Sequence, residues 1–192
     1  MKPAARTQST ARPRVQTRML ILAALFAALT AVGAFLKFPL GALSVTLQVF
    51  FTALAGVLLG PKWGTISQIV DVAVGLIGLP IFTMGGGPGY IFQPSFGFLL
   101  GLIPMSLVIG RIAQGKGDRP LWVLLACVAG VAVLYLVGVP YMYLIFTVYL
   151  GRETTVAGLV WSGMVVYLPG EAIKIAAVTI LAKPLTRALA RT

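Results

Sequence analysis

The sequence predicts an all-α membrane protein with six transmembrane helices. Hydrophobic residues make up 59% of its 192 residues and charged residues only 10%, whereas about a quarter of the residues are charged in a typical soluble domain. The mean hydropathy is +0.99. Proline, glycine and charge divide the apolar sequence into pieces of membrane-spanning length. The length favours a single domain, which we place at residues 19–192 after a basic tail at 1–18.

The tail carries five lysines and arginines. We predict that it is cytoplasmic and has no regular structure, because its composition is polar and charged. The first span follows at 19–37. Its uncharged run, Met19 to Leu36, exceeds the apolar region of an ordinary signal peptide, which is about 7–15 residues long. A membrane-spanning helix is therefore the favoured interpretation.

The remaining elements follow in order between proline, glycine and charged residues. We predict the other five spans at 47–60, 65–80, 96–113, 121–140 and 169–189. A turn with an extended piece precedes the second span at 38–46, and a glycine-rich loop precedes the fourth at 80–95. Residues 141–168 are predicted to be short helices that cap one face, because two more spans would need about 20 residues each.

The distribution of positive charge predicts the orientation in the membrane. Twelve of the fifteen lysines and arginines fall in the tail and in the connections assigned to one side. Lys37 and Arg152 fall on the other side, and Lys174 lies within the last span. Because cytoplasmic segments are enriched in lysine and arginine, both termini are predicted to be cytoplasmic. The 38–46 turn, the glycine-rich loop and the start of the last span then share the outer face.

Glu171 and Lys174 are charged residues inside the last apolar span. A charge at the bilayer centre costs about 2.5–3.5 kcal/mol on insertion scales, so such residues normally face a partner or a cavity. The two residues are three apart and share one helical face. They could neutralise each other, or they could serve as acceptor and donor for a compact polar ligand. Pro169 and Gly170 fit a helix start just before them.

Asp71 and a run of glycines are further candidates on the outer half. Asp71 shares a stripe of the third span with Gln68, and it could pair with Lys174 or line a pocket. The glycines of "GGGPGYIF" allow close approach of the backbone to a ligand, although a flexible external turn is the alternative. No Gly-Lys-Ser/Thr follows them, which excludes a nucleotide-binding loop of that type. Tyr90, Phe92, Phe96 and Phe98 could supply an apolar wall.

The first span carries a stripe of small residues, Ala23, Ala27 and Ala31. Such a stripe can pack inside the protein or present a surface to a separate protein, and we expect the second. The chain has no histidine and a single cysteine, Cys127. No nucleophile–base pair or metal cluster is evident, so an enzyme is not expected.

Three blocks of the sequence resemble the BioY family, the biotin-binding S components of energy-coupling factor (ECF) transporters. They are "SVTLQVFFTALAGVLLGPKWGTISQ", "GLIGLPIFTMGGGPGYIFQPSFGFLLG" and "LPGEAIK", and the resemblance extends over most of residues 19–190. It implies an S-component-like fold with external loops that cap a ligand pocket. The family's last helix usually reads Pro-Gly-Asp-x-x-Lys, with Asp and Lys on the ureido ring. Glu171 and Lys174 stand at those positions, and the acid is one methylene longer.

The resemblance also implies partners. Many family members work with a transmembrane coupling subunit and two ATPases, and the coupling subunit docks on the alanine-rich face of the first helix. Some members are proposed to act alone. ATP would be used by the partners, and no cofactor is expected on this chain. Two alternative functions remain: an S component for another vitamin, or a small proton-coupled transporter. The expected substrate-binding residues are Glu171, Lys174, Gly86, Gly87, Gly89, Tyr90, Gln48 and Asp71, and the expected docking residues are Ala23, Ala27 and Ala31.

Overall fold

A computed structural model describes residues 11–40 and 43–191, and the described part is mostly helical. The helices are α1 (Ala11–Phe35), α2 (Gln48–Leu76), α3 (Phe96–Ala113), α4 (Pro120–Leu144), α5 (Val156–Gly163) and α6 (Leu168–Arg191). Short helices of other types lie at Pro88–Phe92, Ile145–Tyr149 and Val165–Tyr167. Two strands, β1 (Lys37–Leu40) and β2 (Leu43–Thr46), form an antiparallel hairpin in which Lys37 pairs with Thr46.

α2 consists of two antiparallel arms, residues 48–59 and 61–76. Gly60 between them has φ 75° and ψ −176°, a conformation that is essentially restricted to glycine, and Pro61 begins the second arm. The arms fold back on each other: a Cβ on Gly64 would lie 2.9 Å from the carbonyl oxygen of Ala55. The Thr52 hydroxyl likewise donates to Oε1 of Gln68 at 2.8 Å, sixteen residues along the chain. The loop that the sequence analysis placed between the second and third spans is thus a one-residue break.

Five segments among the described residues are long and apolar enough to cross a membrane, with α2 counted as one. The prediction of six spans counts the two arms of α2 separately, and the number stays a prediction. α3 packs against both α2 and α4, while α1 packs mainly on α2. Close approach depends on glycines: a Cβ on Gly110 would lie 2.5 Å from the backbone nitrogen of Pro61.

Two predicted boundaries were wrong. α1 begins at Ala11, so the tail is helical from that residue on, and Arg18 of this segment donates to the carbonyl of Leu189 at 2.5 Å. Residues 1–10 lie outside the described part. α4 continues through Pro140 to Leu144, because the helix tolerates this proline near its end. Residues 141–168 do contain the short helices that were predicted.

A buried polar layer joins α1 to both arms of α2. Nε2 of Gln68 donates to Oγ1 of Thr30 at 3.4 Å and to Oγ of Ser67 at 3.0 Å. Its Oε1 accepts from Thr52. All four side chains are fully buried. Hydrogen bonds of this kind between helices stabilise membrane proteins by about 0.6–2 kcal/mol each, so the layer fixes the packing of three segments.

Candidate functional site

The candidate site is a pocket at the end of the bundle where the β-hairpin, the glycine-rich loop and the start of α6 meet. Its empty space, counted together with its open mouth, is about 650 Å³. α6 contributes Glu171 and Lys174, and the hairpin contributes residues 44–46. The other lining residues come from α2, the glycine-rich segment, α3, α4 and the short helices before α6: Gln48, Val49, Thr83, Tyr90, Ser95, Phe98, Leu99, Leu102, Leu134, Tyr135, Gly163 and Tyr167.

Glu171 and Lys174 form the charged end of the pocket. Nζ of Lys174 donates to Oε1 of Glu171 at 2.5 Å and to the carbonyl oxygen of Thr46 at 3.1 Å. Each charged residue is only 6% exposed. The second carboxylate oxygen of Glu171, Oε2, has no hydrogen-bond partner among the described residues. The pair therefore neutralises its charge internally and still keeps one buried acceptor.

Gln48, the first residue of α2, lies beside this pair. Its side chain is buried and lines the pocket. Oε1 accepts a hydrogen bond from the Thr46 hydroxyl at 3.2 Å. Within the described part of the chain, Nε2 has no acceptor. Thr46 at the end of the hairpin thus connects the two residues. Its carbonyl oxygen accepts from Lys174, and its hydroxyl donates to Gln48.

Tyr90 enters the pocket from the glycine-rich segment. Its hydroxyl lies 2.8 Å from that of Thr83 and 3.2 Å from that of Ser95. On the opposite side, the walls are apolar and include Phe98, whose ring meets Tyr135 edge-on at 6.0 Å. The lining thus combines the charged pair of α6 and several hydroxyl groups with apolar side chains such as Phe98, Leu99 and Leu134. Such a lining suits a ligand with a compact polar group on an apolar body.

The predicted glycines Gly86, Gly87 and Gly89 are not among the residues that line the pocket, and their contact with a ligand stays a prediction. A Cβ on Gly86 would lie 2.0 Å from the carbonyl oxygen of Leu79, and the nitrogen of Gly87 donates to Gly75 at 2.7 Å. Gly89 is exposed, with open space where a Cβ would be. The loop folds onto the end of α2, and its contribution to the pocket is Tyr90.

Two of the four predicted wall aromatics, Tyr90 and Phe98, line the pocket. Phe96 is buried behind Tyr90, with ring centroids 6.3 Å apart. Phe92 is exposed and stacks on Tyr149 at 4.7 Å. The short helix Pro88–Phe92 does not have the α-helical repeat, so an α-helical pattern does not predict which side each aromatic faces.

Asp71 neither pairs with Lys174 nor lines the pocket. It lies in the second arm of α2 and is 1% exposed. Neither carboxylate oxygen finds a hydrogen-bond partner in the described residues. The pairing of Asp71 with Lys174 is not formed, because Lys174 is paired with Glu171, and a role of Asp71 in binding stays a prediction.

The proposed outward stripe of α1 faces inward. Ala23 and Ala27 are 1% and 6% exposed, and Ala31 is half-buried. α1 is apolar on all sides, so composition does not show which side meets α2. The small residues allow its backbone to approach α2 closely. Ala24 and Ala28, about 100° further around the helix, are exposed.

The polar residues of the hairpin, Ser44 and Thr46, were missed by the sequence analysis, as were Thr83, Ser95, Tyr135 and Tyr167. No local signal marks them, because they reach the pocket only through the packing of distant segments. Thr46 shows this most clearly: its bond to Lys174 joins residues 128 apart in sequence.

Comparisons with known proteins agree with one another. The model of the BioY family matches residues 6–191. The probable biotin transporter BioY of Lysinibacillus sphaericus is 44% identical over 140 residues, which cover 72% of this chain and 71% of that protein. The biotin transporter BioY of Thermotoga maritima is 42% identical over 123 residues, 64% of this chain and 72% of that protein. Among solved structures, the S-component for biotin from an ECF-type ABC transporter is similar, with a TM-score of 0.80 and 25% identity over 94% of this chain and 95% of that one.

Proposed function

The chain belongs to the BioY family, and on this premise we propose that it binds biotin in the α6 pocket and takes it up across the membrane. The observation that carries the proposal is the buried Glu171–Lys174 pair at one end of an otherwise largely apolar pocket. Biotin has the matching form, with a small ureido ring on an apolar body and a chain that ends in a carboxylate. The family name of the relatives points to the same ligand.

The chemistry of the pair suits a ureido group, which has two N–H donors and one carbonyl acceptor. A carboxylate accepts from N–H groups, and an ammonium donates to a carbonyl. Both are charge-assisted hydrogen bonds, which are roughly twice as strong as neutral ones. The rest of the molecule would lie against Phe98, Leu99 and Leu134, where burial of apolar surface contributes about 25 cal/mol per Å².

We propose that the pocket opens to the outside and that both termini are cytoplasmic. The hairpin begins at Lys37, and the connection between α4 and α5 carries Arg152, so the pocket side holds the few outer cations. The other end of the bundle carries Lys62, Arg111, Lys116, Arg119, Lys183 and Arg187. The excess of positive charge at that end supports a cytoplasmic placement.

The similarity to an ECF-type S-component supports partner subunits. We propose that a transmembrane coupling subunit docks on the outward face of α1, around Ala24 and Ala28, and that two ATPase subunits of the complex use ATP while this chain binds no cofactor. α1 lies at the edge of the bundle and packs mainly on α2, so this face remains available. Its small side chains allow another helix to approach closely.

The docking proposal is tested with one tryptophan on each face of α1. Ala28→Trp should prevent co-purification with the coupling subunit and abolish ATP-driven uptake, and biotin affinity should change less than about threefold. Ala27→Trp is the matched variant on the buried face and should lower thermal stability instead. Normal uptake by Ala28→Trp in cells that contain the ATPases would refute docking on this face.

The biotin proposal is tested by calorimetry on the purified protein in detergent. Biotin, thiamine, pantothenate and riboflavin are titrated separately. We expect saturable binding of biotin alone. If one of the other vitamins binds and biotin does not, the biotin proposal is refuted. The alternative of a vitamin-binding subunit with a different specificity would then hold.

A further inference from the structure

The polar end of the pocket holds one buried donor and one buried acceptor that are both unpaired. The donor is Nε2 of Gln48 and the acceptor is Oε2 of Glu171, and neither has a hydrogen-bond partner within the described chain. Buried polar side-chain atoms are paired in the large majority of cases, so two unpaired atoms lining one pocket need an explanation. A ligand that presents an acceptor next to a donor would satisfy both.

Lys174 has little capacity left for such a ligand. An ammonium group has three N–H donors. One goes to Glu171 and one to the carbonyl of Thr46. Lys174 therefore holds the carboxylate and the end of the hairpin together, and one N–H remains. Gln48, in contrast, keeps both hydrogens of its amide nitrogen.

The orientation of the Gln48 amide follows from Thr46. The Thr46 hydroxyl lies 3.4 Å from the backbone nitrogen of Gln48, which donates to it, and 3.2 Å from Oε1, to which it donates. Rotating the amide by 180° would place a second donor on this hydroxyl and leave its own hydrogen without an acceptor. The amide nitrogen is therefore the end that stays free for the ligand.

We propose that Gln48 determines specificity in this pocket: its amide nitrogen donates to the carbonyl oxygen of a cyclic urea while Oε2 of Glu171 accepts from the adjacent N–H. Lys174 positions the carboxylate, and its remaining N–H can donate to the second lone pair of the same carbonyl oxygen. The proposal rests on the proposed function and assigns the carbonyl partner within it. The Gln48 amide nitrogen, a neutral donor, favours ligands with a carbonyl oxygen at this position. It disfavours ligands that carry a hydrogen-bond donor there.

The experiment compares biotin with its guanidino analogue, in which an imino nitrogen that carries hydrogen replaces the carbonyl oxygen. Dissociation constants are measured by calorimetry for the wild type, Gln48→Met, Gln48→Glu and the control Gln114→Met, which lies at the far end of α3. Gel filtration and thermal unfolding in detergent check that each variant folds.

We expect the wild type to prefer biotin over the analogue by about tenfold or more, because the protonated guanidino group sets donor against donor and buries a positive charge beside Lys174. Gln48→Met should weaken biotin binding by about tenfold or more, since a buried ligand carbonyl loses its donor. Gln48→Glu should weaken biotin binding and lower the preference for biotin over the analogue by about tenfold, because a carboxylate accepts from the imino group. The control should bind biotin as the wild type does.

If the wild type binds biotin and the guanidino analogue with equal affinity, the inference is overturned, and no variant is needed to show it. Biotin binding by folded Gln48→Met within about twofold of the wild type would also overturn it. So would a Gln48→Glu variant that loses affinity for both ligands by the same factor, because that result indicates a structural role. A wild type that binds no biotin refutes the proposed function itself, and this outcome is seen before any variant is compared.

Discussion

Replacing Lys174 by methionine separates the binding role of the charged pair from its structural role. The change keeps most of the side-chain volume and removes two hydrogen bonds, at 2.5 Å to Glu171 and 3.1 Å to Thr46. It leaves a carboxylate that is only 6% exposed without its counter-charge. Breaking a buried pair in this way costs about 3–5 kcal/mol of stability. We expect biotin affinity to fall by about 2–4 kcal/mol, which is roughly 30- to 1,000-fold.

The double variant Glu171→Gln, Lys174→Met gives the decisive comparison. It removes both charges, so thermal stability should recover towards that of the wild type, whereas biotin affinity should stay low. Calorimetry gives the affinities and thermal unfolding in detergent gives the stabilities. Lys62→Met, an exposed lysine near Trp63, is the control and should change neither. If the double variant binds biotin within about threefold of the wild type, the pair is only a structural ion pair and our reasoning about the pocket fails.

Three further substitutions test the fold around the site. Gly60→Ala should lower the free energy of unfolding by about 1–3 kcal/mol, because φ 75° is strained for any residue with a Cβ; a thermal unfolding curve like that of the wild type would contradict this. Gly86→Val should displace the glycine-rich loop, since its Cβ would lie 2.0 Å from the carbonyl oxygen of Leu79, and should lower both stability and the association rate of biotin in stopped-flow fluorescence. Asp71→Asn should leave biotin affinity within about threefold, because Asp71 does not line the pocket; a larger loss by calorimetry would place Asp71 in the binding mechanism.

The sequence predicted the helical class and the charged pair because both depend on local signals. Runs of apolar residues have the length that a bilayer requires, and Glu171 and Lys174 are conspicuous in such a run. Their spacing of three residues places them on one helical face, and in the structure they form a contact of 2.5 Å, one of the two alternatives that the sequence left open. The start of α6 at Leu168 differs by one residue from the prediction.

The sequence did not predict which residues face one another across the bundle. In a membrane both sides of a helix are apolar, so the difference between core and lipid that orients a soluble helix is absent. The buried position of Ala27 and the exposed position of Ala28 could not be distinguished for this reason. The place of Asp71 was left open in the same way, since a charge in a span indicates an interior position without indicating which part of the interior.

The hydrogen bond from Gln68 to Thr30 fixes the rotation of α1 about its own axis, which apolar contacts with lipid cannot do. An axial slip of α1 by a single residue would shift it by about 1.5 Å and rotate it by about 100°. Thr30 would then move away from Nε2 of Gln68, which lies 3.4 Å from its hydroxyl. No lipid chain can replace that acceptor, whereas any alkyl chain can replace a leucine contact. The amide of Gln68 therefore determines which alanines of α1 face the membrane. The amide itself is fully buried and does not line the ligand pocket.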